Sequence, residues 1–491
     1  MTTQSWKLTR RSWNGAVLTA FLCLGAIPGS ASGAIQSRAM RSPFWHSGAL
    51  LAAPLLACAI SATPAPTRSP AAPAPGAAVL DPTERAITEA VDARNVDAIA
   101  LLERIVNLNS GTMNLAGVRA VGDVLRGELD GLGFTTRWVD GAGFQRAGHL
   151  VAEHRGTGPK LLLIGHLDTV FEPSSPFQRF ERLSETSARG PGVIDMKGGD
   201  VIIIHALKAL KAAGALDALT ITVVFDGDEE HPGDPVAQAR RALVDAAAGA
   251  AAAIGFEDGS GDPHKANTAR RGAGFWTLRS TGTPAHSSQI FRDDVGPGAI
   301  FEAARVLEAF RAQLAGQQYL TFSPGVALGG TALTLDAPHN QGTAAGKTNV
   351  VARDMVVQGD LRTVSPEQLA QVKAAMRDIV ARPLPHSSST IEFDDGYPPM
   401  APTAGNTRLL ALYDAVSRDL GMGEVTAVDP IKAGAADVSF VAGLVPMALD
   451  GIGLAGRDDH TDRETADLAM LPGLTKRAAL LLHRLGSAAS R

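Results

Sequence analysis

Three short apolar segments, each running into polar residues, constrain the fold of this chain more than any other feature. They are KLLLIGHLDTV, ALTITVVFDGDEE and AAAAIGFEDGS, which begin at residues 160, 218 and 250. Their continuous hydrophobicity is typical of buried strands, and DMKGGDVIIIHALKALKAAG, between the first two, has the periodicity of a helix that ends at Gly214. Strands that alternate with helices predict an α/β domain with a largely parallel sheet.

Histidines and carboxylates follow the ends of these predicted strands, where ligands bind in sheets of this class. In an extended segment, residues two apart face the same way, so Asp168 can support the ring of His166 and fix its tautomer. Residues of these types at several successive loop ends suit zinc or a related divalent ion. The candidate residues are His166, Asp168, Asp195, Glu229, Glu230, Glu257 and His460.

The overall charge and the cysteines bear on other classes of function. The formal net charge is −5 and no basic stripe is present, which argues against nucleic acid as a partner. The two cysteines, Cys23 and Cys58, both lie within the first 60 residues. The remainder of the chain therefore needs no disulfide and offers no thiolate for catalysis or metal binding.

Residues 1–62 resemble export signals, and we expect the protein to be exported, either periplasmic or secreted. A basic start, an apolar core and small residues occur twice, the second time from Met40. Because two signals in series are redundant, Met40 as the true start is one hypothesis. The segment LLAC leaves two alternatives, a lipid anchor on Cys58 or ordinary cleavage near Ala59 or Ala62.

Residues 63–80 are predicted to be a Pro/Ala-rich tether, and folded sequence is expected from Asp81. The following segment has helical periodicity, with Asp81 as a suitable cap and Pro82 in the first turn. We predict one domain from residues 81–267 and 398–491.

Residues 268–397 are predicted to form a second domain inserted into the first. The segments GAGFWTLRSTG and NVVARDMVVQGDLRTV have strand patterns. Two helical segments lie among them, DVGPGAIFEAARVLEAFRAQL and SPEQLAQVKAAMRDIVA, the second capped by Ser365. Two helices among several strands indicate an α+β sandwich.

The sequence from Asp81 onward resembles the zinc-dependent exopeptidases of the M20 class, especially their glutamate carboxypeptidase-like branch. The motifs that carry the resemblance occur in the family's order and are GHLDTV, GPGVIDMKGG, DGDEE, GFE, GTPAHSS and HTDRE. The resemblance implies a phosphorylase/hydrolase-like catalytic domain with a mainly parallel central sheet, plus an inserted α+β domain that acts as a lid and dimerises.

The same resemblance implies two Zn²⁺ ions per subunit, with Co²⁺ or Mn²⁺ as substitutes. One ion would be held by His166, Asp195 and Glu257. The other would be held by Asp195, Glu230 and His460, so that Asp195 bridges the two. Glu229 would be the general base, and the family also has a cis peptide after the bridging aspartate.

The adjacent acids Glu229 and Glu230 can have different roles, because neighbours on an extended backbone point to opposite sides. Glu230 can then bind metal while Glu229 faces the attacking water, and the cations offset the repulsion between the two carboxylates.

In the lid, the resemblance implies that His286 reaches over the active site of a neighbouring subunit to steady the oxyanion. It also makes Asn349 and Arg362 candidates for binding substrate, Arg362 through a carboxylate. One departure concerns residues 397–399, Tyr-Pro-Pro here, where some carboxypeptidases of the family carry an arginine. The sequence therefore does not predict strict specificity for glutamate.

These features predict a metal-dependent exopeptidase or amidohydrolase that cleaves an amide bond next to a free carboxylate in a peptide or N-acyl amino acid. One alternative is an N-acyl-amino-acid deacylase with the same machinery. An M28-type aminopeptidase shares the ligand types, but the GTPAHSS insert speaks against it. A non-catalytic binding protein of the export compartment is a further alternative, against which the intact Glu229 speaks.

Overall fold

The computed structural model describes residues 80–336 and 341–488. The export segments, the Pro/Ala tether up to residue 79, and Cys58 with its two alternatives lie outside the described residues. The expected export, the lipid anchor and the start at Met40 therefore stay predictions.

The first part of the catalytic region contains six helices and eight strands among the described residues. The helices are α1 Pro82–Ala93, α2 Asn95–Val106, α3 Leu115–Leu132, α4 Lys197–Ala212, α5 Val236–Ala239 and α6 Arg241–Ala247. The strands are β1 Thr135–Asp140, β2 Gly148–His154, β3 Lys160–His166, β4 Glu181–Arg182, β5 Ser187–Arg189, β6 Thr220–Asp226, β7 Ala252–Gly255 and β8 Lys265–Ala266.

The inserted region follows, and the chain then returns to the catalytic region. The insert contains β9 Ala273–Gly282, α7 Gly298–Leu314, β10 Thr321–Gly330, β11 Ala332–Asp336, β12 Gln341–Ala345, β13 Asp354–Arg362, α8 Pro366–Val380 and β14 Ser387–Tyr397. The returning segment contains α9 Ala404–Asp419, β15 Thr426–Ala427, β16 Ala448–Leu449, β17 Gly456–Arg457, β18 Thr465–Asp467 and α10 Leu471–Ala488.

The central sheet has six strands in the order β1-β2-β6-β3-β7-β16. Strands β6, β3, β7 and β16 run parallel to one another, while β1 and β2 form an antiparallel edge. The three apolar segments of the sequence are β3, β6 and β7, and all three lie side by side in this sheet. Their continuous hydrophobicity has a simple cause, because strands in a sheet covered on both faces bury alternate side chains on each side.

The sequence pattern shows one periodic helical segment at the N-terminus, whereas the structure has two helices. The helical conformation is interrupted at Arg94, which separates α1 from α2. Asp81 caps α1 as expected: its Oδ1 accepts from the Glu84 N–H at 2.8 Å, and its own N–H donates back to Glu84 at 3.0 Å. A straight helix from Pro82 to Val106 would be about 38 Å long. The break allows both halves to pack against α4.

The inserted region forms its own four-stranded antiparallel sheet in the order β10-β13-β9-β14, with α7 and α8 packed on it. Its core is separate, with Trp276, Phe310 and Met376 among the buried side chains. Ser365 caps α8 by accepting from the Gln368 N–H, as predicted. The exact domain boundaries, at residues 267/268 and 397/398, stay predictions. No helix in the part of the chain that the structure describes is long and apolar enough to cross a bilayer.

Candidate active site

The ends of three parallel strands bring the predicted ligands to one edge of the central sheet. β3 ends at His166, which is in register with Asp226 at the end of β6. β7 ends at Gly255, two residues before Glu257. Because the carboxyl ends of parallel strands lie at the same edge, residues that are distant in sequence meet there.

Asp195 lies between two histidines, and each of its carboxylate oxygens faces a different one. Its Oδ1 is 3.2 Å from Nε2 of His166, and its Oδ2 is 2.8 Å from Nε2 of His460. Burial opposes ionisation of Asp195, but hydrogen bonds from both histidines prevail and lower its pKa. A carboxylate in this position can bridge two cations.

Glu230 and Glu257 complete the cluster, each beside one of the two histidines. Glu230 Oε2 is 3.1 Å from Nε2 of His460, and Glu257 Oε1 is 3.7 Å from Nε2 of His166. Burial raises the pKa of each glutamate to about 7, and the nearby carboxylate of Asp195 adds to both shifts. Among the described residues, the buried Oε1 atom of Glu230 has no hydrogen-bond partner. The cluster therefore combines several carboxyl groups with a buried carboxylate oxygen that is free to bind a ligand.

His460 reaches the cluster from a loop and is itself exposed. Hydrogen bonds to Asp195 and Glu230 raise the pKa of His460 to about 11. His460 has a φ of 56° and Asp458 a φ of 61°, in the left-handed region that few non-glycine residues adopt. The adjacent Asp459 also has a carboxylate oxygen within 4.8 Å of ligand atoms of Asp195 and His460. Asp459 was not among the residues predicted from the sequence.

The loop that carries Asp195 is held by a glutamate to which the sequence assigned no role. The buried carboxylate of Glu464 accepts from the N–H groups of Gly192 at 3.0 Å, Ile194 at 2.8 Å and Asp195 at 3.2 Å. The peptide bond between Asp195 and Met196 is cis, as the family resemblance implied. Glu464 is the last residue of HTDRE, so the same segment that carries His460 also fixes Asp195.

Asp168 supports both the first histidine and the pair of glutamates. Nδ1 of His166 is 3.1 Å from the main-chain oxygen of Asp168 and 3.5 Å from its Oδ1. The Asp168 carboxylate accepts from Thr112 Oγ1 at 2.6 Å and from the N–H groups of Glu229 and Glu230 at 3.0 and 3.1 Å. It therefore orients more than the imidazole ring, which was the predicted role.

Glu229 lies beside this cluster. Burial raises the pKa of Glu229 well above its ordinary value, and the carboxylates of Glu257, Asp437 and Glu230 add to the shift. A carboxyl group with a raised pKa accepts and holds a proton more readily, as proton transfer near neutral pH requires.

The three candidate lid residues have their hydrogen-bond partners within the lid of this single chain. His286 is exposed, and its Nδ1 lies 2.8 Å from Ser288 Oγ. The Asn349 main-chain oxygen accepts from the Ser287 N–H at 2.9 Å. Arg362 donates from Nε to Asp360 Oδ2 at 3.0 Å. Their predicted contacts with substrate stay predictions.

Several residues that hold the site together were not predicted. Thr112 bonds to a carboxylate 56 positions away, and Arg240 bonds to Asp437 across 197 positions. Tyr397, noted in the sequence only where an arginine is lacking, donates to the main-chain oxygen of Glu229. Of these residues, only Glu464 could have been found from a short segment of sequence, because it is the last residue of the HTDRE motif.

Comparison with known proteins identifies relatives of this chain. The model of peptidase family M20/M25/M40 matches residues 162–484. Carboxypeptidase G2 of Pseudomonas sp. (strain RS-16) is 26% identical over 419 residues, which cover 84% of this chain and 95% of that protein. Succinyl-diaminopimelate desuccinylase of Sphingopyxis alaskensis is 38% identical over 151 residues, which cover 28% of this chain and 36% of that protein.

Solved structures with the same fold include aminopeptidase PepT from Bacillus cereus. Its TM-score is 0.63 at 16% identity, over 80% of this chain and 98% of that one. The YXEP protein of Bacillus subtilis, a dinuclear metal-binding peptidase from the M20 family, has a TM-score of 0.55 at 15% identity, over 80% of this chain and 98% of that one. At these identities the likeness shows the fold, and it confirms the predicted α/β class with an inserted lid.

Proposed function

The chain belongs to peptidase family M20/M25/M40 and is a metallopeptidase or amidohydrolase of that family, and from this premise we propose a carboxypeptidase-type activity. The enzyme would cleave an amide bond next to a free carboxylate. The observation that carries metal-dependent hydrolysis is Asp195, whose two oxygens lie 3.2 and 2.8 Å from two different histidines. The free carboxylate in the proposal is supported by the similarity to carboxypeptidase G2.

The residues present fit a pair of divalent cations. The donor set mixes imidazole nitrogens with carboxylate oxygens, which suits Zn²⁺, with Co²⁺ or Mn²⁺ as substitutes. The unpartnered Oε1 of Glu230 and the raised pKa values of Glu230 and Glu257 are consistent with ligands that positive charge would stabilise. His166, Glu257 and Asp195 would hold one cation, and Glu230, His460 and Asp195 the other.

When bound, the two cations would polarise the amide carbonyl and lower the pKa of a water molecule. Glu229 takes the proton from the attacking water and then donates it to the leaving amine. Asp168 keeps Glu229 in place through the hydrogen bond it accepts from the Glu229 N–H. Arg362 and Asn349 are the proposed contacts for the substrate's carboxylate and backbone.

Two reactions of this class are candidates. Similarity to carboxypeptidase G2 over 84% of the chain favours release of a C-terminal amino acid. The shorter similarity to a succinyl-diaminopimelate desuccinylase favours the alternative, removal of an acyl group from an N-acyl amino acid. Both reactions use the same ligands and the same base. The alternative of a non-catalytic binding protein does not explain why Glu229 is held beside the proposed metal ligands.

A substrate panel on metal-loaded protein tests the proposal. The chain is stripped of metal, reloaded with Zn²⁺, Co²⁺ or Mn²⁺, and assayed with acyl-glutamates, dipeptides and N-acetyl amino acids. Hydrolysis is expected only in the loaded protein. Each substrate has a matched control in which its free carboxylate is converted to an amide. Hydrolysis of the controls at the same rate would contradict the carboxylate requirement, and hydrolysis by metal-free protein would contradict the metal centre.

We also propose that the enzyme is a homodimer through its lid and that His286 acts on the partner's active site. In support, helix α7 exposes Ile300 and Phe301, and Phe291 beside it is 65% exposed. Phe291 and Phe301 have ring centroids 5.6 Å apart, so they form one apolar patch. Exposed apolar patches of this kind are typical of protein–protein contacts.

Replacing His286 with alanine is expected to lower kcat by about 10²–10³-fold, as for loss of one oxyanion donor. Metal content should be unchanged, because His286 is not among the proposed ligands. The measurement is steady-state kinetics with metal analysis of the same samples. Wild-type activity in His286→Ala would contradict the role.

Mixing two inactive variants tests whether His286 acts in the active site of its own subunit or in that of the partner subunit. His286→Ala and Glu229→Gln chains, each nearly inactive, are mixed under conditions that exchange subunits. Recovered activity is expected, since each mixed dimer has one site with an intact base and an intact histidine from the partner. Exchange without recovery would confine His286 to its own subunit.

A further inference from the structure

We propose that Tyr397 is a positioning residue for Glu229, and that the buried guanidinium of Arg240 holds the Tyr397 hydroxyl in place for that purpose. The inference rests on the proposed role of Glu229 as general base. It connects a residue at the end of the lid with the peptide group of the base.

The peptide groups on both sides of Glu229 are held by side chains. Its N–H donates to Asp168 Oδ1 at 3.0 Å, and its main-chain oxygen accepts from the Tyr397 hydroxyl at 2.8 Å. The first partner follows β3 in the catalytic domain. The second is the last residue of β14, where it pairs with Ala273 of β9. The backbone of Glu229 is thus fixed between the catalytic sheet and the lid sheet.

Arg240 determines where the Tyr397 hydroxyl can lie. Its Nη2 donates to that hydroxyl at 2.6 Å, its Nη1 to Asp228 Oδ1 at 2.5 Å, and its Nε to Asp437 Oδ1 at 2.6 Å. The Arg240 side chain is only 1% exposed. A buried guanidinium is costly unless its donors are paired, so a site that pairs them in three directions is geometrically well defined.

The same guanidinium also holds the residue before Glu229. Arg240 Nη2 donates to the main-chain oxygen of Asp228 at 3.0 Å, and Asp228 Oδ2 accepts from the Gly233 N–H at 2.7 Å. Arg240 and Tyr397 together therefore bind two consecutive carbonyl groups of the loop, those of Asp228 and Glu229. The direction of the Glu229 side chain depends on the orientation of these two peptides.

The aromatic ring of Tyr397 is also held in place, by packing. It makes an edge contact with Phe440, with ring centroids 4.9 Å apart. Phe440 lies in the same 3-10 turn as Asp437, and its ring centroid is 5.5 Å from Cζ of Arg240, so one element supplies two of the side chains around Arg240. Tyr397 is the member of this group that belongs to a lid strand. A shift of β14 would therefore be transmitted to the carbonyl of Glu229.

The test is Tyr397→Phe, which removes one hydroxyl and keeps the ring. We expect kcat to fall about 10-fold to 100-fold, as for a small misplacement of a catalytic group, with KM within about twofold and metal content unchanged. The matched control is Tyr413→Phe. Tyr413 is also buried, and Cζ of the buried Arg477 lies 5.7 Å from the centroid of the Tyr413 ring. Tyr413 differs from Tyr397 in its position, because it lies on α9, outside the lid. The control should keep kcat within about twofold.

A second readout does not depend on activity. Amide hydrogen exchange in peptides that cover residues 226–235 should be faster in Tyr397→Phe than in wild type, and unchanged in Tyr413→Phe, because local opening of this loop becomes easier. Loss of metal from Tyr397→Phe, a parallel fall of kcat in both variants, or unchanged kcat and exchange in Tyr397→Phe would each overturn the proposal.

The wild-type protein in the same assays separates this proposal from the proposed function. If wild type hydrolyses no substrate of the panel, the proposed function fails, while faster exchange in Tyr397→Phe would still establish that Tyr397 holds the loop. If wild type is active and Tyr397→Phe matches it in kcat and exchange, only the positioning role fails.

Discussion

Glu229→Gln is expected to lower kcat by about 10²–10⁴-fold and to leave both metal ions bound, because an amide of the same shape cannot accept the proton of the attacking water. The Glu229 N–H donates to the Asp168 carboxylate, and the Glu229 main-chain oxygen accepts from the Tyr397 hydroxyl. Both bonds use only backbone atoms of Glu229, so they persist in the variant. The measurement pairs kcat on the best substrate of the panel with metal analysis of the same protein.

The matched control for this experiment is the neighbouring residue. Glu230→Gln removes a carboxylate that lies 3.1 Å from Nε2 of His460, and it should lose metal. The two variants differ by one position in the chain but test opposite roles. Metal loss in Glu229→Gln with retention in Glu230→Gln would mean that the assignments of the two glutamates must be exchanged.

Asp195→Ala is expected to lose both cations together and to reduce activity to that of the metal-free protein. The reason is that each oxygen of Asp195 faces a different histidine, so one side chain contributes to both halves of the site. Metal analysis after gel filtration, at several free metal concentrations, gives the stoichiometry. Asp459→Ala is the matched control, since that exposed carboxylate lies within 4.8 Å of ligand atoms of Asp195 and His460 and is not a proposed ligand. It should keep both ions.

Two results would contradict the bridge. Retention of two ions per chain in Asp195→Ala would remove Asp195 from the ligands altogether. Loss of a single ion would confine Asp195 to one half of the site, with either His166 or His460 as its partner.

The cluster of ligand-type residues could be predicted from the sequence because the pattern that indicates it lies within short segments. Continuous apolar runs indicate buried parallel strands, and the carboxyl ends of such strands share one edge of the sheet. That rule alone predicts that the residues after β3, β6 and β7 meet, and they do. The division of roles between Glu229 and Glu230 came from the family resemblance, because local pattern fixes only that neighbours face different sides.

The break between α1 and α2 shows where local pattern fails. Both sides of Arg94 have helical periodicity, and hydrophobic periodicity does not specify the direction of a helix axis. The direction is decided by packing against α4, which lies about a hundred residues later in the chain.

By itself, the sequence determined the three buried strands β3, β6 and β7, the helix α4 between the first two, and the ligand-type residues that follow those strands, since periodicity and composition are properties of short segments. Only the tertiary structure decided what holds those ligands in place. Glu464 bonds to Gly192 across 272 positions, and Tyr397 bonds to the Glu229 carbonyl across 168. No short segment encodes such a contact, because it exists only once the two packed elements bring a buried donor within reach of a buried acceptor that would otherwise be unpaired.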